Sequence, residues 1–276
     1  MNLYGQENFS RWTTDALETP EDLERLYALL DSYKTSFERP PMITANFITH
    51  NIDYSSTKKL NFDPLSHHLK DNQELKKYYN DGIEKGFIFP QLHGFCHFNL
   101  KPLNDFFQSD RSEDLFKLGF LTGESTIRTI SNEFKGEFIM QNNSIDVNLE
   151  SSVNEFFNLF GFYPKTIIPP HFILDLKLLE LLKQRGIECI QACNRLIKYN
   201  RNRIRKVFFR KQHGIYWFPR TARLDPHDHY SYFADQCLTS IEKAFSANIP
   251  AIIDFHRVNI SGKYNSKYRD RTLKEL

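Results

Sequence analysis

Short apolar runs, each ending in a polar or proline-bearing turn, alternate with amphipathic helical stretches along most of these 276 residues. This alternation limits the fold more than any other feature. Strands separated by helices run parallel, and a parallel sheet needs helices over its faces. Strands are expected at Phe9–Thr14, Met42–Ile48, Phe87–Phe89, Lys165–Pro169, Ile187–Ala192 and Pro250–Phe255. Helices are expected at Glu21–Tyr33, Asn72–Lys85, Asp105–Phe120, Ile127–Phe134, Leu149–Phe160, Ile173–Gln184 and Tyr230–Ala247. Ile204–Phe209 and Ile215–Phe218 read as a β-ribbon around Gly214, and residues 49–71 as a long polar loop. The first helix carries a start signal, with Thr19 as N-cap, Pro20 at the first helical position and Asp22 three residues on. The pattern implies an α/β fold, a (β/α) barrel or an open sheet, in a single domain over 1–276.

In such folds reactive groups gather where strands end. Asp15, the pair His93 and His97, the turn Pro169–Pro170–His171, and His256 all fall at those points. Were the segment after His93 helical, the spacing of four would put both imidazoles on one face, about 5–6 Å apart at Cβ. One divalent ion could then take a nitrogen from each at roughly 2.0–2.1 Å. The full zincin signal needs a Glu after the first His, and Gly94 stands there instead. The plainer alternative is that both imidazoles cap and pack the strand end. For His256 it is a strand-end histidine bonded to backbone, and for Arg220 a surface salt bridge. His67–His68 read as surface residues, and His227–Asp228–His229 as a polar loop.

Composition excludes little but narrows the partners. The formal charge of +2 gives no reason to expect nucleic acid. The basic run Lys198–Lys211 reads as a solvated face. Cys96, Cys189, Cys193 and Cys237 form no C-x-x-C, and reduced thiols are the default. Neither a signal peptide nor a run of the ~20 apolar residues a membrane span needs is visible. A cytoplasmic protein is the simplest expectation. Lys274–Glu275–Leu276 lie inside a helical pattern, which leaves room for a longer native chain.

With those residues in place, the chain resembles the polysaccharide deacetylase family, the NodB-like carbohydrate esterases, and within it a bacterial subgroup with HGxxH and HRxN segments. The resemblance runs from about Phe9 to the end. It rests on TTD at 13–15, HGFCH at 93–97, PPHF at 169–172 followed by LLKQRGIECIQ, FPR at 218–220, DFHRVN at 254–259 and the Arg-containing tail from Gly262.

The resemblance implies a distorted (β/α) barrel and metal-dependent removal of N- or O-acetyl groups from a sugar or polysaccharide, with metal-bound water attacking the acetyl carbonyl. Zn²⁺, or another divalent transition metal, would be held by Asp15, His93 and His97. His256 would protonate the leaving group, with Asp254 or Arg257 orienting it. Pro170 and His171 would shape one wall, and Arg220 and Arg257 would contact substrate. Two neutral imidazoles and one carboxylate leave a +1 centre that acidifies water and polarises a carbonyl, and a histidine suits the proton donation that follows.

The first motif departs from the family pattern of two adjacent acids, one a base and one a ligand. Thr14 precedes Asp15 and Ala16 follows it, so one acid is missing or comes from elsewhere, with Asp53, Asp225 and Glu18 as substitutes. A non-catalytic, carbohydrate-binding relative is therefore the alternative. An unrelated metal hydrolase of the amidohydrolase type would need an early H-x-H, which is not there.

Overall fold

The computed structural model describes residues 16–34, 39–53, 60–109, 135–140, 143–192, 195–197, 204–206, 209–226 and 233–276. The expected Phe9–Thr14 strand, the Ile127–Phe134 helix, Asp15, and His227 to His229 lie outside them.

Six strands form the main sheet: β1 (Ile43–Ile48), β4 (Ile88–Gly94), β5 (Thr166–Ile167), β6 (Cys189–Ala192), β10 (Ile215–Pro219) and β9 (Arg210–Gln212), side by side in that order. The first five run parallel and β9 closes the edge antiparallel to β10. Two further strands, β11 (Ala222–Arg223) and β12 (Ile253–Asp254), pair parallel to each other. Arg220 N–H donates to the Ala192 carbonyl at 2.7 Å and Thr221 N–H to that of Ile252 at 2.9 Å. The chain leaving β10 thus passes directly from the large sheet to the small one.

The sheet is strongly curled. In a flat sheet β1 and β6 would stand three strand spacings apart, about 14 Å. Yet Gln191 Nε2 on β6 donates to Asn46 Oδ1 on β1 at 2.8 Å, and also to Thr166 Oγ1 on β5 at 2.8 Å. Asn46, Thr166 and Gln191 therefore line a concave side. The other side is apolar: Leu92, Ile167, Ile190, Ile215 and Trp217 pack against Leu149, Val153 and Phe156 of α5 (Ile145–Phe160) and Leu179 and Leu182 of α6 (Leu179–Gln184). Each such side chain contributes about 1.5–3 kcal/mol by leaving water.

A second core joins Leu23, Leu26 and Leu30 of α1 (Pro20–Ser32), Leu65 and Leu69 of α2 (Leu65–Lys70), Leu75 and Tyr79 of α3 (Gln73–Glu84), and Phe47 and Ile88 of the sheet. α1 starts as its sequence demands. Thr19 and Asp22 form a reciprocal capping box with Pro20 in the first turn. Asp22 is also bonded to Arg269 Nη1 at 2.6 Å and to Gly262 N–H at 2.9 Å, which docks α8 (Ser266–Glu275) onto the start of α1.

Several expected elements take other forms. Residues 49–71 are not one loop: β2 (His50–Asp53) and β3 (Asn61–Pro64) pair antiparallel and lead into α2. α4 is Leu100–Phe107, and residues 110–120 of the expected Asp105–Phe120 helix lie outside the described residues. α6 begins only at Leu179, after a 3-10 turn at Leu176–Leu178. The ribbon about Gly214 is β9 with β10, while Ile204–Lys206 (β8) pairs with Arg195–Ile197 (β7). α7 is Ala234–Ser246, and the expected buried strand Pro250–Phe255 shortens to β12, where Ile253 is 43% exposed. Among the described residues no helix is long and apolar enough to cross a membrane.

Candidate active site

β4 ends at His93 and Gly94, and the chain then turns rather than entering a helix. This corrects the helical expectation. Gly94 has φ +124°, a conformation L side chains rarely adopt, and a Cβ there would lie 2.5 Å from Glu137 Oε2. The turn brings the two rings into contact, with His97 Nε2 2.7 Å from His93 Nε2. His93 Nδ1 is 2.7 Å from the Ile168 carbonyl oxygen. A carbonyl only accepts, so Nδ1 of neutral His93 carries the proton and its Nε2 accepts the hydrogen bond from His97 Nε2–H. Cys96, between them, is buried, and its Sγ accepts from Phe98 N–H at 3.5 Å.

His171 lies beside this pair, its ring 5.6 Å from that of His97. Pro170, His171 and Phe172 form a 3-10 turn after β5, in which His171 and Phe172 both have positive φ, 55° and 56°. That strained backbone comes shortly after the end of β5 at Ile167. The Arg220 guanidinium sits 5.4 Å from the centre of the Phe172 ring and is ion-paired with Asp254.

Asp254 is one of three residues, with Asp225 and His256, whose ligating atoms lie within 4.8 Å of one another. His256 Nδ1 is 2.7 Å from Asp225 Oδ2. Asp225 also accepts from Arg223 Nε at 2.7 Å and, through Oδ1, from Asn259 Nδ2 at 2.7 Å. Burial alone would raise the Asp225 carboxyl, but the hydrogen bond and charge of His256, with Arg223 and Asn259, bring it down to about 2. Asp225 is therefore a buried carboxylate that fixes Nδ1 of His256. Side-chain contacts thus join His93, His97 and His171 in one group and Phe172, Arg220, Asp254 and His256 in another, and the two groups meet in the backbone turn that carries His171 and Phe172.

Of the expected orienters of His256, Asp254 lies within 4.8 Å of it while ion-paired with Arg220, and Arg257 is paired with Glu18 Oε2 at 4.0 Å. Glu18 in turn accepts from Tyr79 Oη at 2.8 Å. Asp225 enters the sequence reading only as a substitute for the missing acid, and Glu137 does not enter it. Asp225 stands far from His256 along the chain, and only the Asn259 of the HRVN turn, three residues after His256, hints at a buried acceptor. Glu137 is fully buried and accepts the N–H groups of Phe95 and Cys96 at 3.1 Å through Oε2.

Among the described residues, the three-residue group that could hold a divalent cation is Asp225, Asp254 and His256. In the group, Arg223 and Arg220 already neutralise the two carboxylates at contact distance, so a cation there would compete with both.

No protein-family model matches the sequence, and no curated protein sequence matches it. Among solved structures, the chain is similar to the crystal structure of 4-alpha-glucanotransferase from Thermococcus litoralis, with 12% identity and a TM-score of 0.48. The match covers 94% of this chain and 34% of that one, so the chain spans about a third of the length of that protein.

Proposed function

We propose that this chain is a metal-dependent hydrolase that removes N- or O-acetyl groups from a sugar or polysaccharide, built on a distorted (β/α) barrel of the polysaccharide deacetylase type. The observation that carries the reading is the meeting of His93 Nε2 and His97 Nε2 at 2.7 Å, with His93 Nδ1 committed to the Ile168 carbonyl. The curl that lets Asn46 meet Gln191 supports the barrel, and the meeting of the His93 and His256 groups in the turn that carries His171 and Phe172 supports a single reaction site.

His93 and His97 would hold the cation, Zn²⁺ or a related ion, with Asp15 as the third ligand expected from the first motif. Such an ion supplies Lewis-acid polarisation of the acyl carbonyl and a more acidic water. The remaining steps belong to the chain's own groups. Asp225 holds Nδ1–H of His256, so that Nε2 can give its proton to the departing amine nitrogen or alcohol oxygen as the acyl bond breaks. Water adds its oxygen to the acyl carbon, and its proton replaces the one His256 has given up. Arg220, held against Asp254 and the face of Phe172, is a polar wall for the sugar.

A second reading is kept by one specific feature. Thr14 and Ala16 flank Asp15 where the family has two adjacent acids, which favours a carbohydrate-binding relative without turnover. Acetate release from acetylated oligosaccharides, with and without added Zn²⁺ or Co²⁺, separates the two. Metal-dependent release supports the hydrolase. Oligosaccharide binding without release supports the relative.

A further inference from the structure

The turn that brings His93 to His97 does not hold itself together. Its two central N–H groups belong to the buried residues Phe95 and Cys96, and buried donors require an acceptor. Glu137 supplies one: its Oε2 lies 3.1 Å from both nitrogens, and its Oε1 is 3.2 Å from that of Phe95. The fit is tight on both sides. A Cβ on Gly94 would meet Oε2 at 2.5 Å, and one on Gly136 would meet Ile173 at 2.8 Å.

The segment that delivers Glu137 is itself pinned at two places. Lys135 bridges to Phe98, immediately after His97, and Phe138 bridges to Leu174, shortly after His171. Asp175 N–H adds a 2.8 Å bond to the Phe138 carbonyl. Residues 135–140 thus tie the imidazole turn to the wall carrying His171, with the carboxyl of Glu137 at the joint.

We propose that Glu137 is the positioning residue of the imidazole pair: by accepting both central N–H groups of the turn, it sets the approach of His97 to His93 and so the affinity of the pair for a divalent cation. This deepens the proposed function and rests on its reading of His93 and His97 as ligands. It requires an oxygen acceptor at this place. Gln keeps one, whereas Met, of similar length, has none to offer an N–H of this geometry.

Co²⁺ titration of the full chain, followed by its absorption spectrum, is the first arm of the test. Glu137→Gln is expected to bind Co²⁺ within about threefold of the unaltered chain, and Glu137→Met to lose about tenfold or more. The second arm needs no ion. Nitrogen-15 imidazole spectra and amide exchange of the ion-free chain should show the His93 Nδ1–H tautomer and slow exchange at Phe95 and Cys96 kept in Glu137→Gln and lost in Glu137→Met. If Glu137→Met does not fold, Glu137→Asp, one methylene short, takes its place with the same expected losses. A Met variant with unchanged imidazole spectra and amide protection overturns the proposal. A chain that takes up no Co²⁺ overturns the metal reading instead, and the ion-free arm still decides the role of Glu137.

Discussion

Asp225 and His256 stand 2.7 Å apart, carboxylate Oδ2 to imidazole Nδ1, and Asn259 holds the other carboxylate oxygen at the same distance. The aspartate follows β11 and the histidine follows β12, so the parallel pairing of these two short strands places the dyad.

Removing the charge from that dyad tests its part in proton transfer. Asp225→Asn can still fill the space but does not hold His256 in the Nδ1–H tautomer with the same preference. The acetate-release kcat is expected to fall roughly 10²- to 10⁴-fold with KM little changed. A KM effect with kcat intact would mean that Asp225 serves binding alone.

How much of this site was legible beforehand depends on distance along the chain. The start of α1 was readable because Thr19, Pro20 and Asp22 act within one turn. His93 and His97 were readable as a pair by spacing, but the spacing suggested a helix. What brings them together is Gly94 at positive φ and a carboxyl from Glu137, more than forty positions away along the chain. Asp225 is among the substitutes the sequence offers for the missing acid, but its pairing with His256 is not legible there, since pairing across two strands leaves no local trace. Asp254, which the resemblance offers with Arg257 as an orienter, lies within 4.8 Å of His256 and is ion-paired with Arg220 as well. The β2–β3 hairpin was missed because His50, Asn51, Asp53 and Asn61 are poor strand formers whose pairing is decided by tertiary packing.

Acid should weaken the fold through His50. It is buried against the ring of Phe95, at 4.0 Å between centroids, and burial, with His67 nearby, lowers its pKa to about 4. Between about 6.5 and 4 the unfolded chain takes up a proton that the folded chain refuses, so stability falls as pH falls through that window. The loss is on the order of 3 kcal/mol. Asp225, depressed to about 2 from 3.8, adds a second loss below about pH 4, because its ionised form is the one the fold favours. Urea unfolding at pH 7, 5.5 and 4 should show the first decline, and His50→Phe, which keeps the stacked ring, should remove it.

The tie between the two ends of the described chain is a buried ion pair. Asp22 is fully buried and Arg269 nearly so. Arg269→Met leaves the carboxylate without its guanidinium and is expected to cost about 3–5 kcal/mol in urea unfolding. Replacing Asp22 and Arg269 together by apolar residues should cost less than that. Equal losses for the single and double variants would show that packing, not charge, is what α8 contributes.

Gly94→Ala strains a backbone at φ +124° and drives a methyl group toward Glu137 and Phe138. A loss of about 1–3 kcal/mol is expected from the backbone alone. Because the turn sets the imidazole pair, Co²⁺ affinity should fall as well, and a thermally destabilised variant with undiminished affinity would separate the turn from the pair.

The most direct test is the divalent-ion content of the purified full chain after equilibration with Zn²⁺ and dialysis, measured beside His93→Ala, with acetate release assayed on the same samples. The account predicts about one ion per chain, as for a single catalytic centre, and the loss of both ion and release in His93→Ala. A chain that retains no ion, or acetate release that survives His93→Ala, contradicts it.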